Sequence, residues 1–233
     1  MIRYIIFDTE TTGLDPLSGD RVIEIGCVEM LNDTITGKEY QQYINPERLI
    51  SKDTTEITHI TNEMLSDKPK FGDIVNNFLA FINDKSSGAE KNVLVAHNAS
   101  FDLKFLNHEL RLLNLDSLNN FEIIDTLEIA RRLFPNQKAT LDMLCERFNI
   151  SIEERKKNGH GALLDSRILA DVFIKLTENK NINNMNILED NNIDFVGIKK
   201  RDKKLEIRHI YQITETEEEA HKQFLLENNI VIN

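Results

Sequence analysis

The spacing of hydrophobic and polar positions separates a strand-rich beginning of the chain from a longer part in which helices and strands alternate. Three segments near the start predict strands, namely Ile2 to Phe7, Val22 to Met30 and Glu39 to Ile44. The first is apolar without alternation, which is typical of a strand buried on both faces. Short turns separate the three segments and favour an antiparallel meander.

From residue 71 onward, apolar positions at helical spacing recur between compact apolar strands. The predicted strands are Val93 to Ala96 and the short Ile123-Ile124. The predicted helices are Phe71 to Ile82, Ser100 to Leu113, Asp125 to Phe134, Thr140 to Phe148 and Gly161 to Glu178. A meander followed by alternating helices and strands predicts an α/β domain over residues 1–178, with a mixed five-stranded sheet flanked by helices.

The composition changes after residue 178. Residues 179–194 are rich in asparagine and predict a flexible linker, with a structured excursion as the alternative. In residues 195–233, a lysine-rich stretch precedes a possible strand, and Thr216 with Glu219 forms a capping box that opens a short helix. About 40 residues make a poor core of their own, so this tail is predicted to need a partner surface.

Composition and charge exclude several classes of protein. The chain has 233 residues, of which 40% are hydrophobic and 29% charged, as in a globular protein. No apolar run approaches the roughly 20 residues that cross a bilayer, and no signal peptide is recognisable, so we expect a cytoplasmic protein with no membrane partner. The net charge of −11 argues against a protein that coats nucleic acid by bulk electrostatics. The same charge is compatible with an enzyme that binds the end of a nucleic acid through metal ions. Cys27 and Cys145 are predicted to be buried, reduced thiols.

Two carboxylates stand at the end of the first predicted strand. Because side chains alternate along a strand, Asp8 and Glu10 point to the same face. Adjacent carboxylates repel each other unless they share a cation, and hard divalent ions take such oxygen ligands. A bare Asp-x-Glu is most often a solvated strand end. The hydroxyl-rich turn that follows, with Gly13, lets the backbone approach a phosphate and favours the functional interpretation.

Two further clusters of polar residues lie at predicted helix starts. His97 to Asp102 directly follows a strand, and His160 to Asp165 opens the last helix. Taken alone, Asp102 is an ordinary first-turn acid and His160 an ordinary surface histidine. Taken together, four acids and a histidine at strand ends and helix starts predict one pocket, in which the acids hold two metals and the histidine takes a proton from water.

These motifs resemble those of the DEDD exonuclease superfamily, in its histidine-bearing branch. The matching runs are Asp8-Thr9-Glu10-Thr11-Thr12-Gly13, His97-Asn98-Ala99-x-Phe101-Asp102 and His160-Gly161-Ala162-x-x-Asp165. Within that branch the chain is most similar to the proofreading (epsilon) subunits of bacterial DNA polymerase III. The resemblance covers residues 1 to about 178 and implies a ribonuclease-H-like fold.

The resemblance also implies an activity and a cofactor. It implies 3′→5′ hydrolysis of phosphodiester bonds at a single-stranded or frayed 3′ end of DNA, with release of nucleoside 5′-monophosphates. Asp8, Glu10, Asp102 and Asp165 are then ligands of two Mg²⁺ or Mn²⁺ ions, and His160 is the general base, so that activity rises with pH through the pKa of His160.

Further residues are assigned to substrate binding by the same resemblance. His97 and Phe101 are expected in the pocket wall, although a plain core role for Phe101 is equally compatible with the sequence. Many relatives carry Ile-His-Gly-Ile-Thr where this chain has Ile-Thr-His-Ile-Thr, so either Thr58 or His59 takes the nucleotide-contacting position. Asp53 matches an acidic residue near the 3′ hydroxyl in epsilon-like relatives.

The motifs indicate the type of reaction but do not determine the substrate or the partner proteins. The first hypothesis is a proofreading subunit whose tail binds the catalytic (alpha) subunit of DNA polymerase III, with Met185 to Leu188 as a weak candidate contact for the sliding clamp. The alternative is a stand-alone exonuclease that acts on RNA ends or repair intermediates. A catalytically dead fold is the third interpretation, and the presence of all five candidate residues argues against it.

Overall fold

The computed structural model describes residues 1–178 of the chain. The linker predicted over 179–194, the tail predicted over 195–233 and the clamp-contact candidate Met185 to Leu188 lie outside the described residues. Among residues 1–178, no helix is both long and apolar enough to cross a membrane.

Five strands and eight α-helices make up this part of the chain. The strands are β1 (Ile2–Thr11), β2 (Val22–Leu31), β3 (Thr34–Tyr43), β4 (Lys91–Ala96) and β5 (Glu122–Asp125). The helices are α1 (Lys52–Thr58), α2 (Asn62–Ser66), α3 (Phe71–Asn83), α4 (Ala99–Leu112), α5 (Thr126–Leu133), α6 (Leu141–Phe148), α7 (Glu153–Asn158) and α8 (Ala162–Thr177).

The strands form one mixed sheet in the order β3-β2-β1-β4-β5. The first three strands pair antiparallel as a meander, whereas β1, β4 and β5 run parallel. This confirms the predicted mixed five-stranded sheet. The carboxyl ends of the three parallel strands consequently meet at one edge, which is where ligands bind in open α/β sheets.

Helices cover both faces of the sheet. Side chains alternate along β1, so Ile5 and Phe7 pack with α3 and α4, while Ile6 packs with the helices on the opposite face. The largest fully buried side chain on that opposite face is Phe173 of α8. A strand buried on both sides explains why the first apolar run lacks alternation. Cys27 and Cys145 are buried and unpaired, as predicted.

The main differences from the predicted elements are short helices and one strand boundary. Strand β3 begins at Thr34, five residues before its predicted start at Glu39, because a two-residue turn at Asn32-Asp33 pairs it with β2 at once. Helices α1, α2 and α7 were not predicted, since segments of five to seven residues show too few turns for a period. The basic run Arg155-Lys156-Lys157, a pattern that is usually a solvated loop, lies in helix α7.

Candidate active site

A cavity of about 610 Å³ opens at the carboxyl ends of the parallel strands. It gathers residues from four segments that are far apart in the sequence. Seven predicted site residues line it, namely Asp8, Glu10, His97, Phe101, Asp102, His160 and Asp165. The cavity wall also carries three cationic side chains, Arg131, Lys138 and Arg155. The predicted convergence of the three motifs on one pocket is therefore present in the fold.

Alternation along β1 distributes its residues between the two faces of the sheet. Asp8 and Glu10 are half-buried and share one face, while Thr9, between them, faces the helix that carries Asp102. The Thr9 backbone N–H donates to Asp102 Oδ1 at 3.0 Å, and the Thr9 hydroxyl donates to the same oxygen at 2.7 Å. These two hydrogen bonds fix one oxygen of the buried Asp102 carboxylate.

Close packing of α8 against β2 positions Asp165. A Cβ atom added to Gly26 would lie 2.2 Å from the backbone of Ala162 and Leu163, so only glycine permits this approach. The Ser166 hydroxyl donates to the Gly26 carbonyl oxygen at 3.0 Å, and the Ala162 N–H donates to Glu24 Oε2 at 3.0 Å. The first turn of α8 is thus anchored to the strand, with buried Asp165 facing the cavity.

His160 lies in the loop between α7 and α8. Its backbone N–H donates to the carbonyl oxygen of Ile57 at 3.1 Å, which ties the loop to the end of α1. Its side chain is 43% exposed, and Nδ1 lies 3.5 Å from Asp165 Oδ2. Burial lowers the pKa of His160, and the nearby Arg155 guanidinium lowers it further. The ring is therefore neutral near pH 7 and able to accept a proton.

Burial and mutual repulsion raise the pKa of the acids in the cavity. The pKa of Asp8 is raised well above its usual range, by burial first and then by Asp102 and the other acids. The pKa of Glu10 rises to about 8, by burial and by repulsion from Asp165. The pKa of Asp102 rises to about 7 through burial, against the hydrogen bonds from Thr9. Such a cluster holds negative charge at a cost that a bound cation removes.

The donor set fits a hard divalent cation. Glu10, His160 and Asp165 each offer one ligand atom, and these three atoms all lie within 4.8 Å of one another. Asp8 and Asp102 line the same cavity but do not belong to this tightest group among the described residues. Asp165 Oδ1 is buried and has no aligned hydrogen-bond donor within the described part of the chain. Carboxylate oxygens with unused lone pairs are the ligands that Mg²⁺ and Mn²⁺ prefer.

Arg155 is the site residue that the sequence analysis missed. Its side chain is only 10% exposed and lies 2.7 Å from Asp165 Oδ1 through Nε, whereas Nη2 donates to Asp165 Oδ2 at 2.9 Å. The Glu-Glu-Arg-Lys-Lys run has acids first and bases last, an order that favours a helix. Nothing in that order indicates that the third residue turns inward.

His97 and Phe101 form part of the cavity wall. His97 Nδ1 lies 2.9 Å from the Thr126 hydroxyl, and burial lowers the pKa of this imidazole. The Phe101 ring packs against Phe105 with centroids 5.1 Å apart, so it serves both the core and the cavity surface. Asp125 supports this wall by accepting hydrogen bonds from the backbone at the start of α4.

The structure does not bring Asp53, Thr58 or His59 into the cavity wall. Asp53 is exposed in the first turn of α1. Thr58 is buried, and its hydroxyl is used locally, donating to the Thr54 carbonyl oxygen at 2.9 Å. His59 ends α1 in a left-handed conformation. Thr58 and His59 line an adjacent cavity of about 290 Å³, on which His160 also borders.

Comparison with known proteins places this site in a family. The sequence profile of the RNase_T exonucleases matches residues 5–173, which include all three motifs. The chain belongs to this exonuclease family. Among solved structures, this exonuclease is similar to exonuclease X in complex with 5′ overhanging duplex DNA, with a TM-score of 0.58 and 28% identity over 78% of this chain and 93% of that one.

A second solved structure supports the fold alone. The nuclease domain of 3′hExo, a DEDDh family member bound to rAMP, aligns with a TM-score of 0.64 and 21% identity, over 77% of this chain and 92% of that one. The mixed sheet and its helices therefore have the ribonuclease-H-like architecture that the motifs implied.

Full-length relatives of this exonuclease are proteins named DNA polymerase III subunit epsilon. The protein of that name from Rickettsia typhi is 42% identical over 228 residues, covering 96% of both chains. The one from Buchnera aphidicola subsp. Schizaphis graminum is 40% identical over 232 residues, covering 96% of this chain and 95% of that one. Both alignments extend well beyond the exonuclease domain.

Proposed function

We propose that this exonuclease is the proofreading (epsilon) subunit of a bacterial DNA polymerase III and removes nucleotides from the 3′ end of DNA. The observation that carries the proposal is the gathering of Asp8, Glu10, Asp102, His160 and Asp165 around one cavity at the sheet edge. The similarity to epsilon subunits over 96% of the chain, tail included, favours this function over a stand-alone exonuclease acting on RNA ends.

The four acids hold two divalent ions, Mg²⁺ or Mn²⁺, in this proposal. Bound ions lower the pKa of an attacking water and neutralise charge on the phosphodiester. The chain contributes ligands that are already positioned. Asp102 is fixed by Thr9, and Asp165 is fixed by the packing of α8 on β2. Two elements anchored independently to the sheet therefore present their carboxylates at a constant separation, which is what catalysis by positioned ligands requires.

His160 accepts the proton from the attacking water. A neutral imidazole is needed for this role, and the lowered pKa of His160 keeps it neutral near pH 7. Its loop is held by the hydrogen bond to Ile57, and its half-exposed ring faces the cavity. A histidine in a partly exposed loop can exchange its proton with solvent after each turnover.

The remaining wall residues bind the strand that is cut. Phe101 offers an aromatic face to the terminal base, a contact that is tolerant of sequence. Arg131 and Lys138 place positive charge on the same wall and attract backbone phosphates, although the chain as a whole is acidic. Contacts of this kind hold a 3′ end of any sequence, as proofreading needs.

The activity is tested with DNA and RNA oligonucleotides of the same sequence, labelled at the 5′ end and incubated with purified full-length protein and Mg²⁺. We expect stepwise loss of DNA from the 3′ end, faster from a mismatched terminus. The loss should stop with EDTA and fall by at least about a thousandfold in Asp165→Ala. Asp171→Ala, an exposed position on the same helix, is the matched control and should retain activity. Preferential cleavage of RNA would contradict the proposal.

The partner is tested separately from the chemistry. We propose that residues 195–233 bind the catalytic (alpha) subunit of the polymerase, because about 40 residues make a poor core of their own. A pull-down with full-length protein should recover the catalytic subunit, and protein ending at residue 194 should not recover it while retaining nuclease activity. Equal recovery by both would contradict this role of the tail.

A further inference from the structure

Arg155 connects three side chains at the mouth of the cavity. Its Nη2 lies 2.9 Å from Asp165 Oδ2 and 2.9 Å from His160 Nδ1, and its Nη1 contacts Asp142. Arginine only donates hydrogen bonds, so His160 Nδ1 accepts from Nη2. The guanidinium therefore occupies both Asp165 and the Nδ1 lone pair of His160 at the same time.

This position overlaps the tightest group of candidate metal ligands. That group consists of Glu10, His160 and Asp165, and Nη2 lies between two of its members. A divalent cation held by the carboxylates of Glu10 and Asp165 would lie within a few ångströms of the guanidinium, where like charges repel strongly in a partly desolvated site. The guanidinium and a cation at these ligands would therefore destabilise each other.

The structure offers Arg155 a second anionic partner away from the cavity. Asp142 lies in the first turn of α6, and 55% of its side chain is exposed, compared with 5% of the Asp165 side chain. It does not line the cavity of about 610 Å³. Because Nη1 already contacts Asp142, the guanidinium retains an anionic partner when it leaves Asp165.

We propose that Arg155 is a built-in counter-cation of the metal site, which pairs with Asp165 and His160 in the metal-free protein and moves to Asp142 when a divalent ion binds. This inference rests on the metal site of the proposed function. Displacement would free two groups together, the carboxylate of Asp165 for the ion and Nδ1 of His160 for a proton. Metal binding and exposure of the base are thereby coupled through one side chain.

A simpler possibility is that Arg155 and Asp142 act on the ion only through space. In that case Asp142→Asn weakens metal binding by the same factor whether or not Arg155 is present. If Asp142 acts by receiving Arg155, its effect disappears when Arg155 is removed. A double-mutant cycle on metal affinity separates the two possibilities.

The experiment is calorimetric titration of Mn²⁺ alone into metal-free, full-length protein, with a thermal melt to verify that each variant is folded. We expect Arg155→Ala to bind Mn²⁺ about tenfold more tightly than wild type and Asp142→Asn to bind it about threefold more weakly. In the Arg155→Ala background, Asp142→Asn should have no effect. Arg155→Lys keeps the charge but loses the two-pronged contact, and should also bind Mn²⁺ more tightly than wild type. Lys157→Ala removes an exposed charge from the same helix and is the control.

Three outcomes would overturn the inference, and only the third of them would also overturn the proposed function. Unchanged affinity in Arg155→Ala would show that the guanidinium does not compete with the ion. Equal weakening by Asp142→Asn in both backgrounds would assign the effect to charge alone. Absence of Mn²⁺ binding to wild type would remove the metal site itself, and with it both proposals. A wild type that binds Mn²⁺ and degrades DNA, with no change in the cycle, leaves the proposed function intact.

Discussion

At the scale of single residues, the candidate ligands Asp102 and Asp165 are each held by a neighbouring side chain. Asp102 is the clearest case, because both hydrogen bonds to its Oδ1 come from Thr9. Thr9 lies between the two acids of the first motif but faces the other side of the strand. Thr9, a residue of the first motif, therefore positions Asp102 of the second motif and does not contact the metal itself.

Replacing Thr9 by valine tests this dependence. Valine has almost the same shape, so the substitution removes the hydroxyl donor and leaves packing unchanged. A hydrogen bond to a charged group contributes roughly 1.5–3 kcal/mol, so we expect kcat to fall by at least about tenfold. Single-turnover degradation of labelled DNA measures the rate. Thr9→Ser should restore most of it, and full activity in Thr9→Val would contradict a positioning role.

At the scale of elements, the site depends on how closely α8 approaches β2. Gly26 lies opposite Asp8 in the sheet, and the backbone of Ala162 and Leu163 rests on it. Asp8 lies on the strand that pairs with Gly26, and Asp165 lies on the helix whose backbone rests on Gly26. This contact therefore helps to position one carboxylate relative to the other.

Gly26→Ala should therefore damage stability and activity together. The added methyl group would clash with backbone atoms, which cannot move away by rotating as a side chain can. Overpacking of this kind lowers the free energy of unfolding by about 1–3 kcal/mol. We expect a lower unfolding temperature and a rate of DNA degradation reduced by at least about tenfold, because the start of α8 is displaced.

Gly72→Ala is the matched control for this substitution. Gly72 lies in α3, and an added Cβ there is 3.5 Å from the nearest side-chain atom. Alanine at a helical position should be neutral or stabilising by up to about 1 kcal/mol. The Gly26→Ala variant could instead match the control in unfolding temperature and in rate of DNA degradation. That result would show that the contact between β2 and α8 tolerates a side chain.

At the scale of the whole molecule, the sheet concentrates negative charge at one edge. The carboxyl ends of the parallel strands bring acids from distant segments within a single cavity, where burial and repulsion raise the pKa of Glu10 to about 8 and that of Asp102 to about 7. The metal-free domain therefore carries an electrostatic cost that belongs to the assembled fold and is absent from the unfolded chain.

This cost predicts how stability depends on pH. A carboxyl group whose pKa is higher in the folded chain binds its proton more tightly when folded, so its contribution to stability is present at low pH and is lost as the pH rises. For Glu10 the loss spans the range from the ordinary pKa of 4.5 to about 8. We expect the unfolding temperature in EDTA to fall between about pH 6 and pH 8, measured by circular dichroism.

Excess Mg²⁺ and a neutral substitution provide the controls for the pH dependence. Bound Mg²⁺ should abolish the fall, because the ion compensates the carboxylates. Asp8→Asn removes one charge from the cluster, so this variant should be more stable than wild type at pH 8 in EDTA. A stability that rises with pH over this range in EDTA would contradict the raised pKa values.

The sequence by itself determined the five strands, the longer helices and the identity of the catalytic candidates. Alternation and helical spacing depend only on residues that are close together in the chain. The three motifs are contiguous runs of six residues. The spacing patterns and the motifs can therefore be identified without a structure. The family assignment followed from the order and spacing of those runs, and the profile match over residues 5–173 confirms it.

Only the tertiary structure decided which side chains are partners. Thr9 pairs with Asp102 across 93 positions, Gly26 receives the backbone of Ala162, and Arg155 turns inward to Asp165. The same fold directs Thr58 and His59 to a neighbouring cavity. Side-chain partners arise from packing between elements that are far apart in the chain, and no local pattern records how closely two such elements approach.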